Sequence, residues 1–411
     1  MRAVAKGASS ARASLAAVCP SCCRRLQLRQ QQQRRSFAAV SSPSPSHAPP
    51  PPKPPSAGFA ALPSRQLLAV SGPDASKFLQ GIVTANVAQS DGLPRTDGFY
   101  TGFLNATGRV VHDVFIYPFR AGSGIPVEDD GFLIEADASQ MGRLAKYIKR
   151  YKLRAKVAVR NITPDEVTVW QSWDDATGYS PQASESRMVL KDPRAPGLGH
   201  RVLQLNGKTP ELDLEQASEE AYTIRRYLHG VPEGQDEIIR EQALPLESNM
   251  ELMNGIDFHK GCYVGQELTI RTKHRGVVRK RILPCMIYSR DKAAPQSLIY
   301  EPGEPEGSPS SDPPVERLTA DMIPGETSIG RFGKRGRSAG KWLAGVGNVG
   351  LGLCRLEIMT DVVLPGEQAA ATFTPDDEFM LEWGEEDSKS SVKVKAFVPE
   401  WVRRGLENSQ K

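Results

Sequence analysis

Lys260-Gly261-Cys262-Tyr263-Val264-Gly265-Gln266-Glu267 sets a single thiol between a lysine and two glycines, with an amide and a carboxylate close behind. The thiolate is the form of cysteine that ligates metal or attacks, and a neighbouring cation favours it, so Lys260 is expected to activate Cys262. Gly261 and Gly265 permit a tight backbone path that a residue with a Cβ resists, which presents the thiol on a turn. Gln266 and Glu267 read as supports for that turn, and Glu267 equally suits the cap of a following element. An isolated free cysteine is more often a small buried hydrophobe. The company of Cys262 argues for function instead, because seven specified residues at fixed spacing recur by chance in on the order of one window in a billion.

Those seven residues, K-G-C-Y-x-G-Q-E, resemble the signature of the tetrahydrofolate-binding aminomethyltransferase (glycine-cleavage T-protein)-like family, and within it the mitochondrial iron-sulfur cluster assembly factors of the YgfZ type. The resemblance continues upstream through Glu237 to Phe258 and downstream through Leu268 to Pro284, with weaker echoes at Ser71 to Gly81, Leu104 to Asp113 and Gly350 to Arg355. It covers roughly residues 60 to 290 well and the C-terminal third loosely. The resemblance implies an α+β fold in a three-lobed, T-protein-like arrangement: a ferredoxin-like lobe, a second α+β lobe and a C-terminal β-barrel. It also implies work with A-type iron-sulfur carrier proteins in maturing [4Fe-4S] client enzymes of the aconitase and lipoate-synthase types. Cys262 would then be this chain's ligand to a transient [2Fe-2S] or [4Fe-4S] cluster shared with the partner, and tetrahydrofolate a further cofactor.

The charge distribution separates an address from a body. Residues 1 to 58 hold nine basic residues and no acidic ones against a total of +4, so the remainder carries a net −5. A nucleic-acid reading of the basic total therefore fails. The Arg-, Ser- and Ala-rich, acid-free segment reads as a mitochondrial transit peptide, with Arg35-Ser36-Phe37-Ala38 as the processing site and the matrix as the destination. No apolar run is long enough to cross a bilayer. Residues 43 to 55 contain eight prolines and are expected to form an extended linker without packed structure. The chain divides into a transit segment 1–37, a linker 38–58, a two-lobed folate-binding-type domain 59–285, a β-rich barrel domain 286–400 and a tail 401–411. Of six cysteines, Cys19, Cys22 and Cys23 fall in the transit segment; Cys285 and Cys354 sit in apolar runs and read as packing residues.

Hydrophobic periodicity predicts a strand at Leu67 to Val70, a helix from Ser71 to Gly81, and a hairpin of Phe99 to Leu104 with Val110 to Tyr117 about the turn Asn105-Ala106-Thr107-Gly108. Met141, Leu144, Ala145 and Ile148 mark one buried helical stripe, with Arg143, Lys146, Lys149 and Arg150 as its solvated face. Ser218 opens a further helix that Gly230 ends. Residues 301 to 340 read as a long excursion, before short strands at Val346 to Met359 and Val392 to Phe397.

One protein thiol does not make a metal site, since zinc and iron-sulfur centres take several thiolate or imidazole ligands. His259 and His274 flank the motif but read first as surface residues. The acid-free stretch Arg271 to Arg281 reads as a hairpin that is either solvated or suited to carboxylates, so Arg271, Arg275 and Arg279, with Arg226, are expected to bind folate or a partner. The alternative is a tetrahydrofolate-dependent aminomethyl or one-carbon transferase. Three departures from the T-protein pattern weigh against it, and no catalytic residue is assigned. Cys262 stands where T-proteins carry Asp; their paired acids correspond to His112-Asp113, which strand alternation sends to opposite faces; and Leu228 replaces the pterin-holding Glu in a register that matches Arg226 and Gly230. A third reading, a tRNA-modification partner with a folate site, rests on the basic stretch alone.

Overall fold

The structure, a computed structural model, describes residues 50–89, 95–302, 318–334, 336–364, 373–385 and 388–408. The expected transit segment, its three cysteines and the first part of the linker lie outside the described residues.

The first lobe is a five-stranded antiparallel sheet built from β2 (Arg65–Ser71), β3 (Phe99–Leu104), β4 (Val110–Phe119), β5 (Gly131–Asp137) and β6 (Ala158–Ile162), in the order β3-β4-β5-β2-β6. All its strands but edge strand β6 are buried on both faces, because both are covered. Leu68 and Val70 point to a core shared with α1 (Ala75–Gln80) and the predicted stripe Met141, Leu144 and Ile148 of α2 (Met141–Lys152), whereas Leu67 and Ala69 point to a second core. This alternation is the two-residue period of a strand. The second core joins the first sheet to another, of order β10-β1-β7-β9-β8, made from β1 (Ala57–Ala61), β7 (Val167–Asp174), β8 (Arg187–Lys191), β9 (His200–Leu205) and β10 (Gln216–Ala217). Helix α3 (Glu219–His229) packs beside it, with Ser218 Oγ accepting from Ala221 N at its start and Gly230 in the left-handed region, φ +70°, at its end.

From Val231 onward the chain runs through turns to the motif, then through α4 (Gln266–Arg275) into a closed barrel of order β11-β14-β13-β12-β15-β16. Its strands are β11 (Lys280–Tyr288), β12 (Ser328–Arg331), β13 (Gly340–Val346), β14 (Val349–Arg355), β15 (Phe379–Trp383) and β16 (Ser390–Ala396). Short α5 (Leu356–Met359) follows β14, and α6 (Glu400–Asn408) closes the described chain. Closure leaves the barrel no open edge, and Leu283, Ile287, Ile329, Trp342, Leu381 and Val394 fill it. Cys285 and Cys354 are free thiols in this core, fully buried with sulfurs 3.8 Å apart, which fits their reading as packing residues.

Four boundaries differ from expectation. The barrel begins at Lys280 rather than 286, because the basic stretch already pairs into β11. The 401–411 tail is largely α6, whose Val402 and Leu406 are buried in the barrel core. Within the 301–340 excursion, β12 supplies one barrel strand. The linker's end is laid onto the body: Tyr300 OH donates to Pro51 O at 2.5 Å and Trp173 Nε1 to Pro55 O at 3.0 Å. Proline lacks an N–H but keeps a strong carbonyl acceptor, so a proline run still satisfies buried aromatic donors.

Candidate functional site

The site begins at the tip of the β3–β4 hairpin. Asn105 Oδ1 accepts from Thr107 N and Arg109 N, both at 3.0 Å, and folds residues 105–109 into a tight turn with Gly108 at φ +81°. The motif loop lies on this tip. Gly265 has φ +80°, and a Cβ there would stand 2.3 Å from Asn105 O and 2.9 Å from Leu104 Cβ. A Cβ on Gly108 would in turn stand 2.8 Å from Leu268 Cβ. Two glycines thus let two backbones touch, and this contact fixes where α4 starts.

The rest of the loop is held mainly by backbone groups. Val264 N donates to Gly81 O at 3.1 Å and Asp257 N to Thr84 O at 3.0 Å. Gln266 Oε1 accepts from Tyr263 N at 3.2 Å, so the amide orients the turn as expected. Tyr263 is buried in the core between the two sheets. Glu267 is exposed in the first turn of α4, where a carboxylate suits the helix dipole. Cys262 is exposed.

Two motif residues act differently from their sequence reading. Lys260 Nζ donates to Val83 O at 2.6 Å and Ala85 O at 2.8 Å and sits 5.1 Å from the Tyr263 ring centroid, so its ammonium is engaged in pinning the loop. Burial pulls its pKa down to about 7 against the opposing pull of Asp257. Gly261 has nothing within 4 Å of a notional Cβ and no positive φ, so space and backbone do not demand glycine there.

The basic stretch is a helix and a short connection, not a hairpin. Exposed Arg271 and Arg275 lie on α4, Arg279 lies exposed just before β11, and Arg281 is buried, paired with Glu251 at 2.6 Å. His259 and His274 are exposed. Among the described residues no cluster of three or more His, Cys, Asp or Glu side chains suits a metal ion.

Arg226 lies apart from the motif loop and the exposed arginines, buried inside the fold. Its guanidinium is buried on Glu237, at 2.7 and 2.9 Å, and also donates to Val231 O. It borders a lattice in which Arg194 and Arg201 meet Glu233 at 2.7 and 2.6 Å while Arg65 and Arg201 meet Glu135 at 3.0 and 3.4 Å. Burial alone would raise Glu233, but Arg201, Arg194, Arg65 and Arg226 hold it well below the carboxylate range. His112 and Asp113 converge on this region despite their adjacent positions. The β3–β4 ladder skips Val111, and both side chains reach Gln235: His112 Nδ1 at 3.3 Å from Oε1, and Asp113 Oδ1 at 3.3 Å from Nε2. The shift lies before both residues, since Phe103 still pairs with His112 and Gly102 with Asp113, so it is the two ends of the Gln235 amide that bring the two side chains into one network.

This packing bears on tetrahydrofolate. A hollow able to take a pterin would expose its lining to water. Tyr100, His112, Asp113 and Arg201 are instead 0% exposed and Arg226 5%. Leu228 turns away to pack near barrel residues Ile282 and Leu351. The region is enclosed but not fully satisfied, since Tyr100 OH, Asp113 Oδ2 and Arg201 Nη1 are buried there without a hydrogen-bond partner. Sequence reasoning missed the Val83 and Ala85 carbonyls, which as backbone atoms leave no residue signal, and the hairpin tip as the motif's seat, although Asn105-Ala106-Thr107-Gly108 was legible as a turn.

Comparison with known proteins agrees with this architecture. Residues 279–404 match the family described as CAF17, C-terminal beta-barrel domain. The chain is 56% identical over 357 residues, covering 85% of it and 86% of the relative, to the iron-sulfur cluster assembly factor IBA57 homolog, mitochondrial, of Pyricularia oryzae. It is 49% identical over 375 residues, covering 86% and 85%, to the protein of that name from Chaetomium globosum. Among solved structures, the glycine cleavage system aminomethyltransferase T of Bartonella henselae superposes with a TM-score of 0.55 at 12% identity, covering 84% of this chain and 86% of that one. The last likeness shows a T-protein-like fold.

Proposed function

The chain belongs to the IBA57 family of mitochondrial iron-sulfur cluster assembly factors, and from that premise we propose that it acts in the matrix by lending Cys262 to a cluster shared with an A-type carrier protein. Residues 1–37 would direct it there. Clients would be [4Fe-4S] enzymes of the aconitase and lipoate-synthase types. The observation that carries this reading is a thiol, the one exposed among the described residues, on a firmly seated loop. A soft thiolate suits iron, and a bridging cluster takes its remaining thiolates from the partner.

In this reading the chain's residues hold and present. Gly265 and the hairpin tip set the loop's height, Lys260 and Gln266 fix its path, and Tyr263 anchors it to the core. Arg271, Arg275 and Arg279 serve a protein partner, because they lie exposed on and just beyond α4, next to the motif loop. The folate-dependent transferase is favoured only by the T-protein-like fold, and the departures at Cys262 and Leu228 weigh against it.

The test is rescue of cells lacking the protein. Wild type should restore aconitase activity and protein lipoylation, and Cys262→Ser should restore neither while accumulating to a normal level. Full rescue by Cys262→Ser would remove the thiol from the account.

A further inference from the structure

Two basic helix faces flank the seat of the motif. Helix α2 lies against the hairpin tip: Tyr147 OH donates to Leu104 O at 2.7 Å, and the Phe103 and Tyr147 rings meet edge-on at 5.4 Å. Helix α4 lies against the same tip, where Leu268 meets Gly108. Val264 of the motif packs in the same core as Tyr147 and Tyr151, which ties the two helices to one rigid base.

The side chains that these helices turn to solvent have one sign. Arg143, Lys146, Lys149 and Arg150 are exposed on α2, with Arg143 and Arg150 at the positions four before and three after Tyr147. Helix α2 has no acidic residue, and its acid-free run extends from Ala138 to Pro164. On α4, Arg271, His274 and Arg275 are exposed and Glu267 is the single acid. Among the described residues no carboxylate pairs with Arg143, Lys146, Lys149, Arg150, Arg271 or Arg275. All of this sits on a chain that is net acidic beyond residue 58.

A solvated face needs no such segregation of sign, and a membrane-surface helix needs a free apolar side, which α2 lacks because Met141, Leu144 and Ile148 are buried. We infer that the exposed faces of α2 and α4 form one docking surface for the acidic face of the protein that shares the cluster, guiding it onto Cys262. This rests on the reading of Cys262 given above and adds the chemistry of the partner. Opposite charge on facing surfaces acts mainly on the rate of encounter and on orientation, by ten- to a thousand-fold, and is screened by salt. The shared cluster then sets the lifetime of the complex.

The test follows visible absorbance in stopped flow as cluster-loaded A-type carrier meets the full mature chain at about 50 mM and about 300 mM salt. Arg143→Glu/Arg150→Glu and Arg271→Glu/Arg275→Glu are compared with Lys191→Glu/Lys208→Glu, which changes net charge equally on another lobe. Each face variant should associate at least about tenfold more slowly at low salt, the control less than about twofold, and the gap should narrow at high salt. Face variants no slower than the control would overturn the inference. So would a single-stranded RNA oligonucleotide bound by wild type and lost in the face variants while carrier association stayed unchanged, which would assign the surface to nucleic acid. Cys262→Ser separates the two claims. Loss of the cluster spectrum in that variant, with unaltered rates in the charge variants, sinks only the docking surface. A normal spectrum sinks the thiol reading. If wild type forms no mixed species, binding of cluster-free carrier on a biosensor decides: salt-sensitive binding weakened by the face variants supports the surface, and its absence overturns it.

Discussion

At Gly265 the backbone requires φ +80°, and a Cβ would stand 2.3 Å from Asn105 O, so alanine cannot enter without moving the loop or the hairpin. Gly265→Ala should lower stability by about 2 to 3 kcal/mol. Urea denaturation reads that loss, and a faster reaction of Cys262 with iodoacetamide should accompany it as the loop loosens. A second residue prediction concerns His112, whose pKa is pushed down to about 3 by burial and by Arg240. Between about 3 and the unfolded value of about 6.5 the unfolded chain binds more protons, so stability falls as pH drops through that window. His112→Gln should reduce the stability lost between pH 7 and pH 5 by about 2 kcal/mol relative to wild type, measured by denaturation at both pH values. An unchanged pH slope would mean that His112 is not held neutral. The sequence disclosed Gly265 because glycine marks backbone demands. It disclosed Lys260 only by position, since the lysine's partners are carbonyls of Val83 and Ala85, more than 170 residues earlier in the chain.

At the level of elements, periodicity was a good guide wherever one face was buried. The stripe of α2, the caps of α3 and the β3–β4 hairpin lie where their patterns put them. It failed where tertiary contacts overrode a local pattern. Arg271 to Arg275 are helical because Gly265 starts a helix against the hairpin, and the basic side chains merely face outward. The C-terminal segment looked like a polar tail because only two of its positions, Val402 and Leu406, face the barrel core strongly. Leu406→Ala should therefore cost about 3 kcal/mol, close to a core leucine rather than a surface one. A loss under about 0.5 kcal/mol in thermal or chemical unfolding would place α6 outside the cooperative fold.

Across the whole molecule, the arrangement of two sheets and a closed barrel was legible chiefly through the resemblance carried by residues 60 to 290. Composition alone reaches only a mixed α+β class. What stayed hidden was the interior: an arginine looks the same in sequence whether it waits for a carboxylate ligand or is already neutralised by one. Arg226 is buried against Glu237 beside the charge lattice around Glu233, a pairing that its neighbours in sequence do not disclose. The fold that the chain shares with a T-protein is thus packed with its own ion pairs near Asp113, while its one exposed thiol among the described residues stands outside on the motif loop. The most direct measurement is the visible absorption spectrum of the purified chain mixed with an A-type carrier, iron and sulfide under reducing conditions. Wild type, Cys285→Ser and Cys354→Ser should each give a mixed complex with cluster charge-transfer bands, and Cys262→Ser should give none. A normal cluster spectrum on the mixed complex of Cys262→Ser would contradict the account.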